Sequence, residues 1–257
     1  MRRIILFGLL AVAGCRQSTD QTTEQTPGIP KISYSVVNSF PHDQSAFTEG
    51  LLIHNGQLYE STGEKNSWIA TVDIKTGKSN KKVQLDPKYF GEGMCILNNK
   101  VYYLTWQNKI GFIYDFKTFK QTGTFNYDTE GWGMTTDNKN LIMSDGTDKI
   151  YFLDTLSLKP VKTLSVTSDG KPTQGINELE YVDGFIYANI WQTSNVIKID
   201  ASTGVVVGIL DLAPLTAQAR ELKPDVDVLN GIAWHPATRM MLLTGKYWNY
   251  IYVIKLK

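Results

Sequence analysis

The sequence has few of the residues that cross-link small proteins or bind metals. Of its 257 residues only two are cysteines, Cys15 and Cys95, and three are histidines. Because Cys15 is assigned below to lipid attachment, no disulfide is expected within one mature chain. Cys95 lies between two apolar residues and is expected to be a small buried hydrophobe. The histidines lie far apart without metal-ligand spacing, which argues against a histidine metal site.

Neither sign of charge is in clear excess, since 26 Lys and Arg residues balance 25 Asp and Glu residues and leave a net charge of +1. The basic excess typical of a nucleic-acid-binding protein is therefore missing. The sequence also lacks the Gly-x-Ser-x-Gly turn of many serine hydrolases and the phosphate-binding P-loop. What it does contain, 11% aromatic residues and 21 glycines, favours short strands joined by tight turns.

A targeting segment is predicted at the N-terminus. Arg2 and Arg3 precede a short apolar run from Ile4 to Ala13, which is too short to span a membrane and matches a signal peptide. The ending Val-Ala-Gly-Cys resembles a bacterial lipobox, in which the cysteine receives diacylglycerol; an ordinary secretory signal is the alternative. We expect residues 1–14 to be a lipoprotein signal peptide and 15–30 a flexible tether. Lipidation at Cys15 would then anchor the protein to the periplasmic side of a cell-envelope membrane or to the outer membrane.

The rest of the chain repeats itself five times. The repeats begin alike, with FTEGLLI (47–53), FGEGMCI (90–96), EGWGMTT (130–136), INELEYV (176–182) and LNGIAWH (229–235). Aligned on Gly50, Gly93, Gly133, Glu178 and Gly231, they recur after 43, 40, 45 and 53 residues. Each opening is followed by a turn signal and two more β-rich runs, and most repeats have a fourth run.

Four strands in a repeat of roughly 40–45 residues are the signature of a β-propeller blade. The last repeat ends at Lys257 after three strands, and the β-rich residues 31–40 are expected to supply the missing outer strand. We therefore predict an all-β fold: a five-bladed β-propeller over residues 31–257, closed into a ring by its N-terminal strand. Helix is expected only as a turn or two near Thr216–Leu222. Two β-sandwiches would not repeat a single opening motif.

The first strand of each propeller blade lines the central channel, so equivalent repeat positions converge on the axis. The position before each alignment residue holds a polar or indole side chain: Glu49, Glu92, Trp132, Asn177 or Asn230. Core packing would favour small apolar residues there, and buried polar groups need partners. The pattern predicts a binding or catalytic mouth, to which the ends of the second runs add Trp106, Asp145, Trp191 and Lys246.

Nine motifs in one order resemble the plant-type glutaminyl-peptide cyclotransferase family over about residues 38–257. The motifs are FPHDQSAFTEGL (40–51), LYESTG (58–63), YFGEGM (89–94), LTWQ (104–107), EGWGMTTD (130–137), MSDGT (143–147), NELEYVDGFIYANIWQT (177–193), LNGIAW (229–234) and LTGKYW (243–248). The family fold is a five-bladed propeller, which agrees with the repeat count. The resemblance places the essential glutamate of the family on Glu92, its asparagine on Asn177 and its lysine on Lys246.

The resemblance also implies a substrate pocket and a reaction. The pocket aromatics fall on Phe47, Phe90, Trp132 and Trp191, while Glu49 stands where the family often has glutamine. The implied reaction converts N-terminal glutamine of peptides or proteins to pyroglutamate with release of ammonia. No cofactor or metal is expected to be needed for catalysis, although a structural cation in the channel is left open. The protein is expected to act as a monomer.

Two other functions are compatible with the same propeller fold. A non-catalytic envelope module would bind proteins or glycans and would not need Glu92, Asn177 and Lys246 at the axis. A Ca²⁺-dependent, lactonase-like hydrolase would need a cage of carboxylates and amides around the ion. The side chains available for that cage are Glu49, Glu92, Asn177 and Asn230.

Overall fold

Residues 28–257 are described by a computed structural model, with the backbone alone at 81 and 82, and they form five four-stranded antiparallel sheets. The N-terminal strand is β1 (Tyr34–Pro41). Blade 1 contains β2 (Thr48–His54), β3 (Gln57–Thr62), β4 (Trp68–Asp73) and β5 (Lys78–Gln84). Blade 2 contains β6 (Gly91–Leu97), β7 (Lys100–Thr105), β8 (Ile110–Asp115) and β9 (Gln121–Asn126).

The remaining blades follow the same order along the chain. Blade 3 contains β10 (Met134–Thr136), β11 (Asn140–Ser144), β12 (Lys149–Asp154) and β13 (Pro160–Ser165), and a small hairpin of β14 (Thr167–Ser168) and β15 (Lys171–Pro172) follows it. Blade 4 contains β16 (Ile176–Val182), β17 (Phe185–Ile190), β18 (Asn195–Asp200) and β19 (Val206–Asp211), and helix α1 (Ala213–Leu222) follows. Blade 5 contains β20 (Leu229–His235), β21 (Met240–Gly245), β22 (Tyr250–Leu256) and β1.

The innermost strands contact one another in a closed circle, from β2 through β6, β10, β16 and β20 back to β2. This circle confirms the predicted five-bladed propeller. Tight turns of the predicted kind join the first two strands of a blade. For example, Asn55 and Gly56 have φ values of 51° and 74°, the left-handed backbone that a type I′ hairpin turn requires.

The ring closes as predicted, although β1 begins at Tyr34 and not at residue 31. β1 pairs antiparallel with β22, from Tyr34 opposite Leu256 to Pro41 opposite Tyr250. The preceding residues bind the outer strand of blade 4, because the Ile209 N–H donates to Pro30 O and the Ile32 N–H donates to Ile209 O. The signal peptide, Cys15 and residues 15–27 of the predicted tether lie outside the described residues.

Two elements differ from the sequence prediction. Strand β10 begins at Met134, so the opening residues of the EGWG motif precede the regular ladder. Helix α1 is longer than the turn or two expected. Pro214 is well suited to the first helical turn. The buried face of the helix, which includes Leu215 and Ala219, packs into the core between blades 4 and 5. Within residues 28–257 no helix is long and apolar enough to cross a membrane.

A register shift recurs in the first strand of four blades. The pairing between first and second strands slips between Thr48 and Gly50 in blade 1, and slips at the same repeat position in blades 2, 4 and 5. The residues at the shifts include four of the five predicted channel residues: Glu49, Glu92, Asn177 and Asn230. A bulge frees a residue from the ladder and redirects its side chain, which is why these polar groups leave the blade plane.

The glycines of the repeated motif allow adjacent blades to approach closely. A Cβ atom at Gly93 would lie 2.5 Å from Met134 N, and one at Gly133 would lie 2.1 Å from Asn177 O. Any larger side chain would push the innermost strands apart at the rim of the site. In blade 4 the equivalent position is Glu178, and its side chain crosses the channel.

Glu178 joins three blades through one carboxylate. Its Oε1 accepts a hydrogen bond of 3.1 Å from Leu51 N, and its Oε2 accepts one of 2.9 Å from Ile232 N. We expect Glu178→Ala to lower the free energy of unfolding by about 2–6 kcal/mol, because each of two buried N–H groups would lose its partner at about 1–3 kcal/mol. Chemical denaturation against Glu221→Ala, an exposed glutamate on α1, measures the difference. Equal losses in the two variants would mean that Glu178 does not hold the ring together.

Candidate active site

A cavity of about 270 Å³ opens at one mouth of the channel. The structure brings together all eight residues predicted for the pocket, and two further residues complete the lining. The lining residues are Phe47, Glu49, Phe90, Glu92, Trp106, Trp132, Asn177, Trp191, Asp227 and Lys246. The volume is slightly below the roughly 300–1,000 Å³ of pockets for drug-sized ligands, which suits a single amino-acid residue.

Glu49 lines the cavity and belongs to a buried hydrogen-bond network at its base. The Lys246 ammonium donates to Glu49 Oε1 at 2.7 Å, and Asn230 Nδ2 donates to Glu49 Oε2 at 3.0 Å. Burial raises the pKa of Glu49 to about 7, although the adjacent Lys246 acts in the opposite direction. Asn230 therefore supports Glu49 from behind and does not line the cavity.

Glu92 is the second buried carboxyl group, with only 6% of its surface exposed. Within residues 28–257 its carboxyl oxygens have no hydrogen-bond partner; its backbone oxygen accepts from Ser61 Oγ at 2.8 Å. Burial is the largest cause that raises the pKa of Glu92 well above the usual carboxyl range, and the negative charge of Glu49 raises it further. The positive charge of Lys246 acts in the opposite direction. A buried carboxyl group with a high pKa, placed in a cleft, is suited to proton transfer.

Asn177 presents an unused acceptor. Its Oδ1 atom is buried and has no hydrogen-bond partner among the described residues. Ser144 Oγ fixes the backbone by donating to Asn177 O at 2.6 Å. Because buried polar groups are normally satisfied, an open acceptor in a cavity wall is suited to an N–H group of a ligand.

Aromatic rings form the walls of the cavity. Phe47 and Phe90 meet edge to face at 6.0 Å between ring centroids, and Trp132 and Trp191 meet edge to face at 5.6 Å. The Lys246 ammonium lies 4.2 Å from the centroid of the Phe47 ring, close enough for a cation–π contact. Trp191, with 45% of its surface exposed, forms part of the rim.

Three residues near the cavity were missed or left without a role by the sequence prediction. Trp106 was placed only among nearby aromatic residues, and Asp227 precedes the fifth repeat and has no equivalent in the others. Glu130 lies behind the indole walls and hydrogen-bonds to Trp106 and Trp132. The EGWG motif contains Glu130, but no repeat position marks it, because the regular strand begins only at Met134.

Asp145, like Asn230, was grouped with the mouth on sequence but does not line the cavity. It ends the run of β11 as expected, but its carboxylate accepts from Thr147 and from the Tyr151 hydroxyl. The side chain therefore stabilises its own blade.

The arrangement of the carboxyl groups argues against a divalent-cation cage. An ammonium group occupies the space beside Glu49, and the Asn230 amide turns its N–H₂ toward that carboxylate. Ca²⁺ would need oxygen ligands in both places. Among residues 28–257 no three His, Cys, Asp or Glu side chains are grouped so that they could hold a metal ion.

The fold and the cavity define a class: a propeller with a paired set of buried carboxyl groups and one lysine inside an aromatic pocket. A family model described as glutamine cyclotransferase matches residues 8–256. The chain belongs to the glutamine cyclotransferase family.

Individual relatives agree with this assignment. The chain is 37% identical over 226 residues to the glutaminyl-peptide cyclotransferase of Arabidopsis thaliana. The aligned region covers 86% of this chain and 71% of the plant protein. The structure matches the glutaminyl cyclase of Myxococcus xanthus with a TM-score of 0.83 at 32% identity, over 89% of this chain and 98% of the other. A hydrazine synthase of Kuenenia stuttgartiensis, at 14% identity and a TM-score of 0.50 over 84% of this chain and 64% of the other, shares the fold alone.

Proposed function

We propose that this chain cyclises the N-terminal glutamine of peptides and proteins to pyroglutamate and releases ammonia. The observation that carries the proposal is the unpartnered carboxyl group of Glu92, buried beside the Glu49–Lys246 pair at the base of an aromatic pocket. The reaction needs no enzyme nucleophile, because the α-amine of the substrate attacks its own γ-amide carbonyl. The protein has to fold the side chain, move protons and stabilise charge.

The aromatic walls would fold the glutamine side chain into the attack geometry. Phe47, Phe90, Trp132 and Trp191 surround a space sized for one residue. Holding two reacting groups in contact replaces the search of a flexible chain and contributes several kcal/mol to catalysis. We propose that the enzyme acts as a monomer, because a single chain supplies both the aromatic walls and the polar groups of the cavity.

Glu92 would carry the proton from the attacking nitrogen to the leaving nitrogen. A free α-amine has a pKa of about 8 and is mostly protonated at neutral pH. Burial raises the pKa of Glu92 well above the usual carboxyl range, which makes its carboxylate a stronger base for a proton of the amine. The amine would attack in its neutral form. As the new C–N bond forms, the α-nitrogen would give a proton to the Glu92 carboxylate; Glu92 would then protonate the γ-nitrogen, the bond from the γ-carbon to that nitrogen would break, and ammonia would leave.

Lys246 and Asn177 would stabilise the tetrahedral intermediate. The Lys246 ammonium has donors left after its bond to Glu49 and faces the cavity, where it is placed to neutralise negative charge on the γ-carbonyl oxygen. The open Oδ1 acceptor of Asn177 suits an N–H of the γ-amide nitrogen. Glu49 would hold Lys246 in place, and its negative charge would raise the pKa of Glu92.

A peptide assay tests the proposed reaction. The purified protein is incubated with a peptide that begins with glutamine, with and without EDTA, and the products are weighed by mass spectrometry. We expect the peptide to lose one ammonia in both arms, while an N-acetylated copy stays unchanged because its α-nitrogen is blocked. Binding without turnover would favour the non-catalytic module. Cyclisation that is lost in EDTA would contradict a reaction without a metal ion, and hydrolysis in place of ammonia loss would favour the hydrolase.

We also propose that the enzyme is anchored in the cell envelope through a lipid on Cys15, on the basis of the residues 12–15 motif. Cys15→Ser should move the protein from the membrane fraction to the soluble fraction or leave the signal peptide uncleaved. Cys95→Ala, which alters the buried thiol, is the matched control and should fractionate with membranes. A wild-type protein that is soluble and carries no lipid mass would contradict the anchor.

A further inference from the structure

The carboxylate of Glu130 lies outside the cavity lining but contacts two of its walls. Glu130 Oε2 accepts a hydrogen bond of 2.7 Å from Trp106 Nε1 and one of 2.9 Å from Trp132 Nε1. Its other oxygen, Oε1, accepts from Gln107 Nε2 at 3.2 Å. One oxygen atom thus holds indoles from two different blades, because Trp106 follows β7 and Trp132 precedes β10.

These bonds fix the planes of the rings that would enclose the substrate. An indole has one polar hydrogen, fixed in the ring plane, so a hydrogen bond to it restricts the rotation of the ring. Trp106 packs against Phe90 at 5.7 Å between centroids, and Trp132 packs against Trp191 at 5.6 Å. A Cβ atom at Gly146 would lie 2.6 Å from the Trp132 ring. Trp132 is thus restricted by close packing against Gly146 and by its hydrogen bond to Glu130.

We propose that Glu130 is a positioning residue of the cyclisation reaction, which holds two indole walls of the substrate pocket with a single carboxylate. The inference rests on the proposed function. Since the substrate glutamine must be folded against those walls, loss of their orientation should weaken substrate binding and the alignment of the two reacting groups.

The charge of Glu130 also acts on the proton shuttle. Partial burial acts to raise the pKa of Glu130, but the hydrogen bonds from Trp132, Trp106 and Gln107 together lower it. The carboxyl group is therefore ionised at neutral pH. Its negative charge is one of the causes that raise the pKa of Glu92. The ionisable groups that interact with Glu92 are Glu49, Glu130, Lys246, Tyr103 and Tyr127.

Two substitutions separate the geometric role from the electrostatic one. Glu130→Ala removes both the acceptor and the charge. Glu130→Gln removes only the charge, because its amide oxygen can accept both indole N–H groups while the Gln107 amide turns over to meet the new N–H₂. Asp128→Asn is the matched control, since Asp128 is a nearby exposed carboxylate that bonds neither indole.

Steady-state kinetics over a range of pH test the proposal. We expect Glu130→Ala to lower kcat/KM by about 10- to 100-fold, chiefly through KM, and Asp128→Asn to leave it within about twofold. Glu130→Gln should keep KM within about threefold of wild type. Without the charge of Glu130 the pKa of Glu92 falls, so the acidic limb of kcat/KM should move to lower pH in Glu130→Gln. Unchanged KM in Glu130→Ala, even with a lower melting temperature, would make Glu130 merely structural and overturn the proposal.

An NMR measurement needs no turnover and therefore tests the role of Glu130 independently of the proposed function. The protein has six tryptophans, whose indole N–H resonances are counted in a ¹⁵N-labelled sample. We expect two of them to shift strongly in Glu130→Ala and to stay close to their wild-type positions in Asp128→Asn. Unshifted resonances would overturn the positioning role whether or not the wild-type protein cyclises glutamine.

Discussion

Glu92→Gln should lower kcat for glutamine peptides by at least about a hundredfold while leaving the fold intact. The amide matches the carboxyl group in size and shape but cannot accept and return a proton, and general acid–base catalysis is commonly worth about 10²–10⁴-fold. The carboxyl group of Glu92 has no hydrogen bond to lose among the described residues, so circular dichroism and the melting temperature should change little. KM should stay near wild type because the aromatic walls and Lys246 remain.

Glu49→Gln is the matched control for the neighbouring carboxyl group. It keeps an acceptor for Lys246 and removes the negative charge that raises the pKa of Glu92. The pKa of Glu92 should therefore fall and the acidic limb of kcat/KM should move to lower pH, with a loss of kcat far smaller than in Glu92→Gln. An active Glu92→Gln beside an inactive Glu49→Gln would make Glu49 the proton shuttle. Full activity in both variants would exclude a carboxyl shuttle at the axis.

Removal of strand β1 should unfold the propeller or nearly so. A chain that begins at residue 42 loses seven register pairs with β22 and leaves that strand as an open edge. At about 1 kcal/mol net for each backbone hydrogen bond, the loss approaches the total stability of about 5–15 kcal/mol of an ordinary domain. Thermal unfolding of this chain is compared with that of one that begins at residue 28.

The two truncations differ only in residues 28–41. The chain that begins at residue 28 keeps β1 and the bonds of Pro30 and Ile32 to blade 4, so it should melt close to the full-length protein. Equal melting temperatures for both truncations would mean that the three strands of blade 5 close the ring without β1.

The repeated opening motif was sufficient to predict the five blades and the convergence of Glu49, Glu92, Trp132 and Asn177. A propeller places equivalent repeat positions at its axis, so one alignment locates all of them. The bulges that redirect these side chains were not predictable, because a register shift depends on pairing with the second strand and leaves no fixed pattern in the sequence. Glu178 did leave a signal, since it replaces glycine at a position where the other four repeats have no side chain.

The hydrogen bonds around the pocket were harder to predict than the lining residues. Glu130 belongs to the EGWG motif but lies before the regular strand, so no repeat position indicated that its carboxylate reaches Trp106, 24 residues away in the sequence. The same limit applies to Asn230, which was expected at the channel: its bond to Glu49 could not be predicted, and it does not line the cavity. Such contacts depend on side-chain directions across blades.

The central claim is that the α-amine of the substrate displaces its own γ-amide nitrogen with Glu92 as the proton shuttle. An N-terminal glutamine peptide with ¹⁵N only in the γ-amide tests it most directly, with the wild-type and Glu92→Gln proteins side by side. We predict that the wild-type protein releases ¹⁵N-ammonia and leaves an unlabelled pyroglutamyl peptide, at a rate at least about a hundredfold above Glu92→Gln. A product that retains the label, an N-terminal glutamate formed by water, or equal rates for the two proteins would contradict the account.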